Sequence, residues 1–305
     1  MKIMVCGVGG VGNYLAYLLC ANNKAAHQIT LVARSKRKAA LLKNGVVIHS
    51  EILGDQASQP AAITETPASA GKQDIIFVCV KNYSLRAALA TLLPCLSPRT
   101  IVIPVLNGID HYQVAKELLP QGRILNALIY IYGSVNPDYS SNQVGGKVLL
   151  YLGGPETEAL TTVQELFQVP GITCTVTEAI ETELWKKYIA NCGYNVITAY
   201  YRCNIQGIKD RQERLQEYRD LLEEAYQVGL TAGVRLPEHL PDKIFQQVTV
   251  KSNPLNTSSM AQDVLAGRPI ELETFGGCLL QLADRFQVPV PVTRRIYEAM
   301  KKQFH

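Results

Sequence analysis

The chain has 305 residues, of which 47% are hydrophobic and 18% are charged, with a formal net charge of +4. A chain of this length predicts two domains or one large one, and the hydrophobic share supports a packed core, which excludes a disordered chain. The longest basic run is Lys36-Arg37-Lys38, so nucleic acid is not an expected partner. Because no apolar run approaches the ~20 residues of a membrane span, a membrane is not expected either.

The cysteine and histidine patterns indicate neither a secreted protein nor a metalloprotein. The eight cysteines form no Cys-x-x-Cys pair, and glycines from Gly7 onward interrupt the apolar start, which makes it a poor secretory signal. Reduced thiols and a cytoplasmic location are therefore expected. None of the five histidines has a neighbour at metal-ligand spacing, so no metal site is expected.

Up to residue 177, short β-branched runs alternate with helical stretches. The predicted strands span residues 3–6, 29–32, 46–49, 75–78, 101–103, 124–132, 148–152 and 173–176. The predicted helices span residues 10–21, 36–43, 85–93, 109–118 and 156–167. This alternation predicts a parallel sheet that is covered by helices on both faces.

From residue 178 onward the apolar periodicity is helical almost throughout, and clusters of Asn, Gly and Pro separate the helices. The predicted helices span residues 178–200, 211–232, 238–249, 259–265, 271–286 and 292–303. The change of pattern predicts two domains, an α/β dinucleotide-binding domain over residues 1–177 and an all-helical substrate and catalytic domain over residues 178–305.

A glycine-rich pattern follows the first predicted strand and opens the first predicted helix. This glycine loop consists of Gly7, Val8, Gly9, Gly10, Val11 and Gly12. Its Gly-x-Gly-x-x-Gly spacing in a strand–turn–helix context is typical of a site for the pyrophosphate of a dinucleotide, which the helix N-terminus also attracts. A glycine-rich turn without a ligand is the alternative, but the position after the first strand favours a dinucleotide.

The end of the second predicted strand indicates which dinucleotide binds. NAD enzymes usually carry Asp or Glu here for the ribose 2′-hydroxyl, but this chain has the cationic cluster Ala33-Arg34-Ser35-Lys36-Arg37, without a carboxylate. Arg34 stands where a 2′-phosphate would lie, and its guanidinium suits a phosphate. A solvated charge cluster is the alternative. Because cations at a helix N-terminus oppose the helix dipole, a bound anion explains the cluster better, and the predicted cofactor is NADP(H).

Lys81 and Asn107 follow the predicted strands at residues 75–78 and 101–103. The carboxyl ends of such strands form the edge at which open α/β sheets bind ligands. Lys81 could reach the nicotinamide half of the cofactor, and Asn107 could bond a ribose or substrate oxygen. An ordinary strand-end lysine and an Asn-Gly turn are the structural alternatives.

One helix of the second domain carries a polar stripe. Lys187, Asn191 and Asn195 lie at positions i, i+4 and i+8, and therefore on one face. Asparagine is a poor helix former, so two of them on one face suggest contact with something polar, although a solvent-exposed face remains an alternative. Leu184 and Tyr188 flank the stripe and favour a partly buried groove. A lysine in such a groove could act as a general acid.

Three motifs together resemble the ketopantoate reductase (2-dehydropantoate 2-reductase) family. The first is the glycine loop with Arg34. The second is ELWKK at residues 183–187, which leads to Asn191 and Asn195, and the third is NTSSMAQD at residues 256–263 followed by AGRPIE at residues 266–271. The resemblance implies a Rossmann domain joined to a helical domain, with the active site in the cleft between them. It also implies NADPH-dependent reduction of 2-dehydropantoate to pantoate, in the biosynthesis of pantothenate, the coenzyme A precursor.

The same resemblance assigns roles to individual residues. It makes Lys187 the catalytic general acid and Glu271 its partner carboxylate, which also contacts the cofactor. It implies substrate binding by Asn107, Asn191, Asn195 and Ser259, and cofactor binding by the glycine loop, Arg34, Lys81 and Asn107.

Residues 132–146 depart from the family pattern, so the resemblance leaves alternatives open for the substrate. The alternatives are a related NADPH-dependent 2-oxo-acid or imine reductase, or a nucleotide-sensing protein without turnover. A small 2-oxo acid is the expected partner, and the sequence leaves open whether the chain forms a homodimer.

Overall fold

The computed structural model describes residues 1–22 and 26–304. The chain divides into two compact units, Met1–Ile180 and Glu181–His305, whereas the sequence placed the boundary after residue 177. Strands are confined to the first unit among the described residues, and the second unit is helical.

The strands of the first unit alternate with its helices along most of the chain. The strands are β1 (Lys2–Cys6), β2 (Gln28–Val32), β3 (Val46–Ser50), β4 (Gly54–Ser58), β5 (Ala62–Thr64), β6 (Ile75–Val78), β7 (Ile101–Pro104), β8 (Arg123–Ile124), β9 (Asn126–Val135), β10 (Ser141–Gly153) and β11 (Thr173–Val176). The helices are α1 (Gly10–Ala21), α2 (Ser35–Asn44), α3 (Leu85–Leu92), α4 (His111–Leu118) and α5 (Thr157–Leu166).

Within the described residues, these strands form two sheets. One is a six-stranded parallel sheet in the order β5-β2-β1-β6-β7-β8. When the six strands of this sheet are renumbered in chain order, their order across the sheet is 3-2-1-4-5-6, which is that of the Rossmann fold. The predicted parallel sheet with its helices is therefore confirmed.

The second sheet corrects the prediction that the strands of the first domain share one parallel sheet. It has the order β11-β10-β3-β4, with β9 antiparallel to β10 and β3 antiparallel to β4. The predicted strands at residues 46–49, 148–152 and 173–176 lie in this sheet. Neither β4 nor β5 was predicted, because GDQAS is polar and exposed and AIT is only three residues long.

Helix α1 packs against both sheets, which explains why it is apolar on nearly every side. Leu15 and Leu18 share one core cluster with Ile3 of β1 and Ile48 of β3. The other face of the parallel sheet contacts α3 and α4 through a separate cluster that includes Met4 and Leu89. Successive strand residues point to opposite faces, so β1 contributes to both clusters and fixes the position of the turn that follows it.

The second unit consists of helices that range from 5 to 21 residues in length. Its helices are α6 (Ile180–Tyr200), α7 (Ile205–Lys209), α8 (Gln212–Thr231), α9 (Leu240–Gln246), α10 (Ser259–Leu265), α11 (Cys278–Phe286) and α12 (Pro291–Phe304). The buried carboxylate of Glu224 accepts the backbone N–H groups of Val292 and Thr293 at 2.8 Å each, so α8 caps the start of α12. No helix among the described residues has the length and apolar character that crossing a bilayer requires.

Candidate functional site

The glycine loop connects β1 to α1 and has the space that a pyrophosphate needs. Gly7 has φ +93°, and a Cβ on Gly12 would lie 1.9 Å from the Gly7 carbonyl oxygen. Both positions therefore require glycine for the turn and for close packing. At Gly9, by contrast, a Cβ would meet no atom of the described residues within 4 Å. The loop thus leaves an open approach to its backbone, which fits a dinucleotide.

Arg34 lies at the end of β2, directly before α2, and its side chain is exposed. The first turn of α2 contains no acidic residue. However, the carboxylate of Glu65, which follows β5, accepts the Ser35 N–H at 3.4 Å and lies 3.8 Å from Lys38. Glu65 could not be predicted from the sequence, because the strand that brings it beside α2 is only three residues long and carries no periodic signal.

Neighbouring strands bring Lys81 and Asn107 to the same edge of the parallel sheet as the glycine loop. Lys81 follows β6, which pairs with β1 on one side and with β7 on the other. Asn107 follows β7 and precedes Gly108, whose φ is +104°. The side chain of Asn82 donates to Asp110 at 3.2 Å and links the two loops. The predicted nucleotide-binding residues of the first unit therefore share the carboxyl edge of one sheet.

The polar stripe on α6 is partly buried. Asn195 is 4% exposed, and its amide nitrogen donates to the side-chain oxygen of Asn191 at 3.1 Å. Leu184 and Tyr188, which flank the stripe, are buried. These positions favour the groove over the solvent-exposed face. Lys186 is not part of this network, because its ammonium pairs with Glu183 at 2.8 Å.

Helix α10 begins against the end of this stripe. The side-chain oxygen of Asn195 accepts the Ser259 hydroxyl and the Met260 N–H, each at 3.2 Å. Ser258 caps α10 by accepting the Ala261 N–H at 3.1 Å, while Ser259 is exposed beside it. The structure therefore brings together Asn191, Asn195 and Ser259.

Lys187 and Glu271 interact electrostatically within the second unit. Burial lowers the pKa of Lys187 from 10.5 to about 8, and the charge of Glu271 partly opposes this shift. Glu271 is 3% exposed and directly precedes a helical segment with a π-helical turn at Glu273–Gly277. Such turns are frequent at functional sites. The Tyr188 hydroxyl donates to the Thr274 carbonyl at 3.0 Å and ties this segment to α6, one residue after Lys187.

A lysine with a pKa near 8 that interacts electrostatically with a buried carboxylate can hold or release a proton close to neutral pH. Together with a Rossmann sheet and its glycine loop, it is typical of a dinucleotide-dependent oxidoreductase. Residues 3–156 match the family described as ketopantoate reductase PanE/ApbA, and residues 179–303 match its C-terminal domain. The chain belongs to the ketopantoate reductase family.

Three known proteins show how this chain relates to others. The uncharacterized oxidoreductase YkpB of Bacillus subtilis is 27% identical over 97% of each chain. A crystal structure of 2-dehydropantoate 2-reductase from Methylococcus capsulatus is 26% identical, with a TM-score of 0.86 over 99% of this chain and 96% of that one. A ternary structure of D-mandelate dehydrogenase with NADH and anilino(oxo)acetate is 15% identical over 98% of this chain and 96% of that one, and its TM-score of 0.85 shows a shared fold.

Proposed function

We propose that this protein reduces 2-dehydropantoate to pantoate with NADPH, as a cytoplasmic step in the biosynthesis of pantothenate. Membership of the ketopantoate reductase family supports the reaction. The open glycine loop supports dinucleotide binding, and Arg34 at the start of α2 supports a 2′-phosphate. A cytoplasmic location agrees with the lack of any disulfide among the described cysteines.

The observation that carries the proposal is the buried position of Lys187 together with its electrostatic interaction with the buried Glu271. When bound, the cofactor supplies a hydride to the ketone carbon of the substrate. Negative charge then grows on the ketone oxygen, and Lys187 stabilises it and donates its Nζ proton to that oxygen. Glu271 keeps Lys187 protonated, since its charge raises the pKa of the ammonium, and it orients the substrate hydroxyl and the cofactor.

The remaining polar residues bind and orient. Asn191, Asn195 and Ser259 form a hydrogen-bonded row that offers amide and hydroxyl groups to the carboxylate and hydroxyl of the 2-oxo acid. Asn107 and Lys81, at the carboxyl edge of the sheet, bind the nicotinamide half of the cofactor and the adjoining part of the substrate.

Reduction of a different 2-oxo acid is the second candidate function. D-Mandelate dehydrogenase shares the fold and was crystallised with NADH and a substituted oxoacetate. The same fold is therefore found with NADH and a substituted oxoacetate, and the fold alone fixes neither the cofactor nor the substrate.

Replacing Lys187 tests the mechanism. Lys187→Ala should lower turnover by roughly 10²–10⁴-fold, the usual contribution of a general acid. Lys186→Ala is the matched control, because Lys186 is the adjacent lysine and pairs with Glu183 outside the stripe. Its turnover should stay within a few-fold of the parent. A larger loss in Lys186→Ala than in Lys187→Ala, measured as NADPH oxidation, would contradict the assignment.

A further inference from the structure

The hairpin of β9 and β10 packs directly on the glycine loop. A Cβ on Gly10 would lie 3.2 Å from the backbone carbonyl group of Gly133 in β9. The fully buried Asn13, in the first turn of α1, donates to the Ser141 hydroxyl at 2.8 Å and to the Val47 carbonyl at 2.9 Å. The second sheet therefore supports the same turn that is proposed to receive the pyrophosphate.

Arg37 of α2 links this hairpin to the glycine loop. Its guanidinium donates to the backbone carbonyl of Val8 and lies 4.9 Å from the centroid of the Tyr139 ring, at the tip of the hairpin. Among the described residues, no carboxylate pairs with it. Burial of the guanidinium lowers the pKa of Arg37. The contacts that stabilise this cation are the dipole of the Val8 carbonyl and the Tyr139 ring.

Tyr139 occupies an unfavourable backbone conformation. Its φ is +70°, which is uncommon for a bulky residue and costs energy that the surroundings must offset. The turn is closed by the Tyr139 N–H, which donates to the Asn136 carbonyl at 2.9 Å, and by the Asn136 N–H, which donates to the Ser140 carbonyl at 2.9 Å. Glycine or asparagine would suit this φ better. Unlike glycine or asparagine, however, tyrosine provides a ring for the cation–π contact with Arg37.

We propose that Arg37 and Tyr139 are positioning residues for the nucleotide. They hold the Val8 carbonyl, and with it the glycine loop, in the conformation that receives the pyrophosphate. The segment at residues 132–146 thereby serves the dinucleotide site through Tyr139. This inference rests on the nucleotide binding in the proposed function and is independent of which 2-oxo acid is reduced.

The two cofactors distinguish this role from that of Arg34. NADPH and NADH share the pyrophosphate and differ at the 2′-phosphate. A residue that positions the glycine loop should therefore affect the binding of both, whereas a residue that contacts the 2′-phosphate should affect NADPH alone.

The test is calorimetric titration of the intact protein with NADPH and with NADH, without any 2-oxo acid. Arg37→Ala should weaken the binding of both nucleotides by similar factors, on the order of 10-fold, as expected for loss of a hydrogen bond from a charged group. Lys43→Ala removes the same charge from an exposed position in the last turn of α2 and should leave both affinities close to the parent. A loss confined to NADPH, or no loss for either nucleotide, would overturn the proposal.

Variants of Tyr139 separate positioning from folding. Tyr139→Phe keeps the ring and should bind both nucleotides like the parent. Tyr139→Gly fits the positive φ and removes the ring, so it should fold, as thermal unfolding can verify, yet bind both nucleotides more weakly. The two residues act through one contact, so their effects should not add. The double variant of Arg37→Ala and Tyr139→Gly should bind both nucleotides only slightly more weakly than Arg37→Ala alone. Parent-like affinity in Tyr139→Gly would contradict the role of the ring.

The outcomes also separate this proposal from the proposed function. If the parent protein bound neither nucleotide, the proposed function would fail and this inference with it. If the parent bound NADPH but Arg37→Ala bound both nucleotides as tightly as the parent does, only this inference would fail.

Discussion

The pKa of Lys187 determines how the proposed reaction should depend on pH. The ammonium is disfavoured by burial, so its pKa falls to about 8, and reduction requires the protonated form. The kcat/KM for reduction should therefore be level below about pH 8 and fall as the pH rises through that value. In Glu271→Gln the charge that raises this pKa is absent, so the decline should move to lower pH.

A pH profile of NADPH oxidation in the parent, Glu271→Gln and Lys186→Ala checks this expectation. Lys186→Ala should leave the midpoint unchanged. A decline that began only near pH 10.5, the ordinary lysine pKa, or a midpoint that Glu271→Gln did not move, would contradict the coupling. The lowered pKa of Lys187 also affects the stability of the fold. Burial of the protonated ammonium lowers the free energy of unfolding by its full amount below about pH 8, and this effect disappears as the pH rises toward 10.5.

Arg34 should determine the choice of cofactor. A charge-assisted phosphate contact is worth roughly 1.5–3 kcal/mol, or about 10- to 150-fold in affinity, so Arg34→Ala should weaken NADPH binding by that factor and NADH binding far less. Titration with each cofactor measures both effects. Equal losses would show that Arg34 does not contact the 2′-phosphate, and Glu65, whose carboxylate lies beside α2, would then be the residue to examine for a ribose 2′-hydroxyl.

At the scale of single elements, the turn between β1 and α1 offers a matched pair of glycines. Gly12→Ala would place a Cβ 1.9 Å from the Gly7 carbonyl, so the backbone must shift, and the free energy of unfolding should fall by roughly 1–3 kcal/mol. Gly9→Ala would place its Cβ in open space with an allowed backbone, φ −87° and ψ −160°. It should fold like the parent and lose nucleotide affinity, because the methyl group occupies the approach of the pyrophosphate.

Urea unfolding together with NADPH titration measures both quantities for each glycine variant. Parent-like NADPH affinity in Gly9→Ala would contradict the proposed position of the pyrophosphate. Parent-like stability in Gly12→Ala would contradict the tight packing of the turn.

Elements with strong periodic signals could be predicted from the sequence. Helices α1 and α10 have the predicted bounds, 10–21 and 259–265, because each begins next to a glycine loop or a serine cap and continues as an apolar run. The spacing of Lys187, Asn191 and Asn195 also predicted one face, and the hydrogen bond between the two asparagines agrees with it.

Other elements could not be predicted because their pairing is non-local or their pattern is interrupted. Strand β10 begins at Ser141, but the prediction began at residue 148, since SNQVGGK is polar and glycine-rich and the register with β9 shifts between Val144 and Leu149. The pairing of β10 with β3 and β11 depends on contacts distant in sequence. The continuous helix predicted for residues 271–286 contains a π-helical turn at Glu273–Gly277, where Gly276 and Gly277 interrupt the pattern.

At the scale of the whole molecule, the candidate residues are divided between the two units. Arg34, Lys81 and Asn107 belong to Met1–Ile180, and Lys187 and Glu271 belong to Glu181–His305. Neither unit alone contains both a candidate nucleotide site and a candidate proton donor. The proposed reductase activity should therefore require the intact chain and be absent from either unit alone.

The rate of NADPH oxidation by the intact protein with a panel of 2-oxo acids tests the central claim most directly. The panel should contain 2-dehydropantoate, 2-oxoisovalerate, pyruvate and phenylglyoxylate, each assayed with NADPH and with NADH. We expect the highest kcat/KM for 2-dehydropantoate with NADPH, by at least tenfold over the other acids, with pantoate as the product. A higher kcat/KM for another acid, or turnover of none of them, would contradict the proposed function.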